Sequence, residues 1–285
     1  MQWLDALIQD VLLGGMFAQC ALGMAVMFGV MRIVNISHGN LVILLALIGI
    51  TFATKYSIGP FAALLMLVPL AAFMGWALQR AILNRVVGAD PLPSLIATFG
   101  LSIALQDLML QIWSAYTRSM PGGGIGQASF QLGPLFIGVL PVFVLVVATA
   151  LTGGLDVLLR FTRFGRALRA SSADVEAAAM TGVNPKVIYS LATAVAVGIL
   201  GFAAVFQGLR STVAPSDGPF QLINAFEAVI IGGMGSIWGA FIGSMVLDIS
   251  QSIGFHINPG FGILAGHLVF LAVLALRPQS IFGKS

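Results

Sequence analysis

The stretch Val11-Leu-Leu-Gly-Gly-Met-Phe-Ala-Gln-Cys-Ala-Leu-Gly-Met-Ala-Val-Met-Phe-Gly-Val-Met31 carries no charged residue. Its length is what a helix needs to cross the hydrocarbon core of a bilayer, about 20 apolar residues. Uncharged runs of similar length recur at 61–79, 135–155 and 187–206. Shorter or less clean runs lie at 41–54, 95–112 with Asp107, 222–234 with Glu227, 237–253 with Asp248, and 261–276. Of these eight to nine hydrophobic segments, 41–54 and 222–234 are too short to cross straight. With 59% hydrophobic residues and a mean hydropathy of +1.02, the 285 residues hold more apolar surface than a soluble domain buries. The expected fold is all-α: a polytopic membrane protein forming one domain over 1–285.

Basic residues accumulate on the cytoplasmic side of membrane proteins. An outside N-terminus places Arg32, Arg80, Arg85, Arg160, Arg163, Arg166, Arg169, Lys186, Arg277 and Lys284 inside, and leaves only Lys55, Arg118 and Arg210 outside. The expected topology is therefore N-terminus out and C-terminus in. The first charges, Asp5 and Asp10, are acidic, so the N-terminal run is expected to stay in the mature protein rather than act as a cleaved signal. The single Cys20 excludes a disulfide frame and a cysteine metal cluster. The net charge of +3 is absorbed by the topology, which leaves no case for nucleic-acid binding.

Charge is concentrated in 160–186, which holds Arg160, Arg163, Arg166, Arg169, Asp174, Glu176 and Lys186 between two apolar runs. Helix formers from Asp174 to Met180, a stop at Gly182 and Pro185 soon after read as a short surface helix ending in a turn. Such a loop suits docking of a cytoplasmic partner protein.

Two breaks interrupt the apolar pattern. The first, around Asn35, Ser37, His38, Gly39 and Asn40, is either a plain turn or non-helical backbone lining a cavity in the membrane. The second, Gly232-Gly-Met-Gly-Ser-Ile-Trp-Gly239, reads first as a tight hairpin at a helix contact and second as a place where backbone meets a solute. Intramembrane acids are costly and mark pathways or paired sites. Asp107 and Asp248 fall toward the ends of their runs, where a wet interface suits them; Glu227 lies mid-segment, and His267 reads as a histidine hydrogen-bonded between helices. No catalytic constellation assembles. The terminal Gly283-Lys-Ser285 lacks the rest of a phosphate-binding loop, with Pro278 at the first glycine position, so no ATPase site is expected on this chain.

Four stretches, in order, resemble the permease subunits of bacterial branched-chain amino acid ABC importers. They are Gly29-Val-Met-Arg-Ile-Val-Asn-Ile-Ser-His-Gly39, Leu95-Ile-Ala-Thr-Phe-Gly-Leu-Ser102, Arg166-Ala-Leu-Arg-Ala-Ser-Ser-Ala-Asp-Val-Glu-Ala-Ala-Ala-Met-Thr-Gly-Val-Asn-Pro185 and Gly232-Gly-Met-Gly-Ser-Ile-Trp-Gly-Ala-Phe-Ile-Gly243. The resemblance implies a multi-pass protein of the bacterial inner membrane that pairs with a companion permease. It implies two cytoplasmic ATPase subunits, which bind the ATP, and an extracytoplasmic substrate-binding protein; the chain itself holds no cofactor and catalyses no reaction. Carried over by position, Arg166, Arg169, Asp174, Glu176, Ala177, Gly182 and Asn184 would make the ATPase-coupling contact. Asn35, Ser37, His38, Gly39, Asn40, Thr98, Glu227, Gly235 and Ser236 would lie along the translocation path. Asn40 stands where an acidic residue is expected and Trp238 where a proline is common, departures that bear on the substrate rather than the fold. The same family handles urea and short amides. A reading from another class is a stand-alone secondary transporter or channel, for which Glu227, Asp248 and His267 would supply an ion relay.

Overall fold

A computed structural model describes residues 2–31, 34–88, 90–122, 124, 126, 128–132 and 135–276. Arg32, Arg277, Pro278 and Gly283 to Ser285, used above, lie outside the described residues. The helices are α1 (Gln2–Met31), α2 (His38–Tyr56), α3 (Pro60–Leu78), α4 (Leu92–Trp113), α5 (Val139–Phe161), α6 (Arg163–Ala173), α7 (Val175–Met180), α8 (Pro185–Arg210), α9 (Gly218–Gly232), α10 (Ile237–Ile257) and α11 (Phe261–Leu276). Among the described residues seven helical spans are long and apolar enough to cross a membrane; α9 and α11 are shorter apolar helices. The chain is a polytopic membrane protein, all-helical among the described residues apart from one hairpin.

That hairpin corrects the expected run 135–155. Leu135–Gly138 is a strand, β2, paired antiparallel with β1 (Ser129–Leu132), and the helix begins only at Val139. Gly138 takes an extended conformation as N-cap, and Pro141 falls in the first turn, where a missing N–H costs nothing. The run 41–54 is likewise longer than expected. α2 starts at His38 and spans 19 residues, because the polar Gly39 and Asn40 are helical and buried. α3 continues past Gln79 through a π-helical turn, Gln79–Leu83, to Val86. The turn is held by a buried polar ladder: Thr193 donates to Gln79 Oε1 at 2.8 Å, Gln79 Nε2 donates to Asn84 Oδ1 at 3.0 Å, and Asn84 reaches the hydroxyl of Ser190.

The core is built on α1 and α8, which pack on each other and against α2, α3, α5, α9 and α10. One cluster joins Val30 and Met31 of α1 to Leu83, Leu168 of α6 and Tyr189 of α8. These residues, with α6 and α7, mark one end of the bundle, which carries Arg80, Arg85, Arg160, Arg163, Arg166, Arg169 and Lys186; Lys55, Arg118 and Arg210 sit at the far end. At the far end the segment after α4 folds over α8 through a bridge between Arg118 and Val213 and a bond from Met120 N to Gly208 O.

Candidate functional site

The polar break after α1 turns back into the bundle. Asn35 Oδ1 accepts from the backbone N and the hydroxyl of Ser37, at 3.0 and 2.7 Å, which folds 35–38 into a tight turn. His38 Nε2 then donates to the carbonyl of Cys20 at 3.0 Å. Cys20 lies eleven residues before Met31, so α2 starts roughly 16 Å up α1 from its basic end. α9 begins at the same level. Gly39 packs directly on the carbonyl of Gly218 and the N–H of Leu222, and Asn40 lies against Gly218. Two helix N-termini thus meet at mid-bundle. From there α2 runs to the far end, and α9 runs to the basic end, where Gly235 touches Gly29 of α1. Asn40 Nδ2 also donates to the carbonyl and hydroxyl of Ser102, at 2.7 and 2.8 Å, tying the crossing to α4 one turn from the buried Thr98.

Asn35, Ser37, His38 and Asn40 are all buried, yet among the described residues His38 Nδ1 and Asn40 Oδ1 make no hydrogen bond, and neither does either amide atom of the fully buried Gln19 beside Cys20. Such unmatched buried polar atoms are rare and mark sites that complete their bonding with water or ligand. The remaining expected path residues separate from this group. Gly235, with φ of 90°, and Ser236, which caps α10 by accepting from Gly239 N at 3.0 Å, form the turn at the basic end.

Glu227 faces away toward α11, where its Oε1 lies 2.5 Å from Nδ1 of His267, and the Asn224–Gln251 bond lies one turn away. Asp107 is exposed on α4, whereas Asp248 is buried, contrary to the wet interface expected for it. α10 runs four residues past its apolar stretch, to Ile257, which leaves Asp248 at mid-helix against Gly14 of α1. Replacing His267 by alanine strips buried Glu227 of this bond and is expected to cost about 1–3 kcal/mol. Glu227→Gln, which keeps a hydrogen-bonding group there, is expected to cost less. Unfolding in detergent, followed by tryptophan fluorescence, orders the two variants.

The basic segment is two helices, where one was expected. Thr162 caps α6 by accepting from Gly165 N at 3.1 Å, and Leu168 and Ser171 anchor one face of it. Arg166 and Arg169 are exposed but tied back to α5. Their guanidinium groups donate to the carbonyls of Phe161, Leu159 and Arg160, filling acceptors left open at the end of α5. α7 follows as the sequence indicates. Asp174 accepts from Glu176 N and Ala177 N at 2.9 and 3.0 Å, Gly182 ends the helix with φ of 84°, and Asn184 caps α8 by accepting from Lys186 N. Of α7 only Ala178 is buried. Val175 is 46% and Met180 89% exposed beside Glu176 and Ala177, an apolar tip outside the bundle.

The sequence reading missed Gly218, Ser102 and the Gln79 ladder. Pro215-Ser-Asp-Gly-Pro219 was the available signal, a cluster of turn residues between two apolar runs.

Comparison with known proteins gives the family of the chain. The chain is 26% identical to the high-affinity branched-chain amino acid transport system permease protein BraD of Pseudomonas aeruginosa, covering 99% of this chain and 96% of BraD. It is 24% identical to LivH of Escherichia coli, again covering 99% and 96%. It is 27% identical to the fructose import permease protein FrcC of Rhizobium meliloti, covering 84% of this chain and 69% of FrcC. Residues 7–275 match the family described as the branched-chain amino acid transport system permease component, and the chain belongs to that family.

Proposed function

We propose that this chain is the membrane-spanning permease of an ABC importer that carries branched-chain or related apolar amino acids into the cytoplasm. The observation that carries the reading is the family match over 7–275 together with relatives named for that transport along nearly their whole length. The partners are a companion permease, two ATPase subunits at the basic end and a substrate-binding protein at the far end. ATP is bound by the ATPases, so this chain needs no cofactor. The N-terminus lies outside and the basic end faces the cytoplasm, in keeping with the segregation of its cations.

The exposed tip of α7 is the surface an ATPase grips. Movement there passes to α5 and α6, which Arg166 and Arg169 clamp together, and to α8, whose Tyr189 hydroxyl reaches the carbonyl of Ser171 at 3.4 Å. α8 packs against α1 and α2, so displacement arrives at the crossing of α2 and α9, the two-state element of transport. The unmatched atoms of Gln19, His38 and Asn40 mark the path beside it.

The test is reconstitution of the chain with its co-purifying subunits in liposomes containing ATP. Leucine uptake above that of vesicles lacking this chain is expected, with urea, acetamide and fructose transported at background. Uptake of leucine without ATPase subunits would instead make it a stand-alone carrier. Saturable uptake of fructose or urea alone would reassign the substrate.

A further inference from the structure

α3, α5, α6 and α8 enclose an open groove of about 550 Å³ on the side of the bundle. Its floor is made of small residues, Ala72, Ala194 and Gly198, and Phe164 and Phe202 rise as walls. The hydroxyl of Thr162, the one polar side chain in the lining, is already engaged, donating to Leu158 O and accepting from Gly165 N. Nothing in the groove offers a hydrogen bond to a polar solute.

The dimensions select the occupant. Along α8 the lining runs from Leu191 to Phe202, eleven residues or roughly 16 Å, which is about half of a 30 Å hydrocarbon core. Volume over length leaves a channel roughly 6–7 Å across. One acyl chain from one leaflet fits that width along its whole length, whereas a helix about 10–12 Å across lays only a ridge of side chains in such a groove.

The charge next in the chain to the groove's lining selects the headgroup. Arg163 lies between two lining residues, Thr162 and Phe164, and is exposed at the basic end. Its neighbours are engaged: Arg160 with Asp156 at 2.8 Å, and Arg166 and Arg169 with carbonyls of α5. Among the described residues Arg163 has no ion pair and no hydrogen bond. We infer that the groove is a specific site for an anionic phospholipid, with one acyl chain laid between α3 and α8 and the phosphodiester against Arg163. Arg163 is the first residue of α6, so the bound lipid braces the segment that links the basic end to α5. The site is independent of the transported solute.

The test uses the complete chain in nanodiscs and a phosphatidylglycerol carrying a diazirine near the end of one acyl chain. Illumination is expected to place adducts on α8 within 191–202, and unlabelled phosphatidylglycerol is expected to compete about fivefold better than phosphatidylcholine. Arg163→Gln, a surface change that leaves the fold intact, is expected to abolish that preference while labelling persists. Ala194→Phe, which fills the floor, is expected to remove the adducts. Equal competition by the two lipids on the unaltered chain overturns the proposal, and so does labelling as dense on the exposed face of α4 as on α8. Disulfide capture of a companion permease by Leu191→Cys would overturn it too, by showing the face to be a subunit contact.

Discussion

Gly39→Val is expected to leave almost no folded protein to extract from the membrane, whereas Gly153→Ala and Gly154→Ala are expected to be recovered at normal yield. A Cβ on Gly39 would lie inside the van der Waals envelope of the Gly218 carbonyl and 2.7 Å from Leu222 N. Both obstacles are backbone, so no rotamer change relieves them. Overpacking a core ordinarily costs about 1–3 kcal/mol. Here the displaced parts are the starting turns of α2 and α9, and the loss extends to the Asn40–Ser102 and His38–Cys20 bonds that depend on their contact. A Cβ on Gly153 or Gly154 meets nothing within 4 Å, and replacing a helical glycine by alanine gains up to about 1 kcal/mol of helix propensity. Size-exclusion yield and thermal unfolding in detergent decide the matter. A Gly39→Val protein as stable as its parent would show that α2 and α9 do not meet as described.

The second large effect is on coupling rather than folding. Glu176→Arg is expected to lower ATP-driven uptake about tenfold, equivalent to about 1.4 kcal/mol of lost interaction, while expression and insertion stay normal. Glu176 is exposed on a six-residue helix and its side chain makes no bond among the described residues. Surface changes of this kind alter stability by less than about 0.5 kcal/mol. Reversing charge on a partner-facing tip acts on association instead. Gly182→Trp is a poorer probe of the same contact. Although the space around Gly182 is open, its φ of 84° strains any side-chain-bearing residue and disturbs the end of α7 itself. Uptake and ATP hydrolysis measured on the same vesicles separate the outcomes, and unchanged uptake would remove α7 from the coupling contact.

The two halves of the candidate site differed in how legible they were. α7 was legible because its determinants are local: Asp174 two residues before Glu176, alanines at 177–179, and glycine where the chain must turn left-handed. α6 was missed because its three arginines suggest a solvated loop, and only contact with the end of α5 reveals that two of them satisfy open carbonyls. Asp248 was misplaced for a related reason. Its position was measured from the edge of an apolar run, whereas α10 runs on through Gly254, Phe255 and His256 to Ile257, beyond that edge. At the break 35–40 the residue types flagged something unusual, but the choice between plain turn and buried crossing depended on Gly218, 179 positions from Gly39 in the chain.

By itself the sequence determined that the chain lives in a bilayer, roughly where its helices run, which loop is basic and how its short surface helix is capped. Each of these follows from residues within a few turns of one another: the apolar length a membrane demands and the side chains that close a helix end. Only the tertiary structure decided that α2 and α9 start at mid-bundle against one another, that Glu227 pairs with His267, and that α3, α5, α6 and α8 leave a lipid-sized groove beside Arg163. In a membrane, apolar side chains face lipid and protein alike, so hydrophobicity does not say which helices touch. That is settled by close backbone packing at glycines and by the few buried polar groups that must find partners.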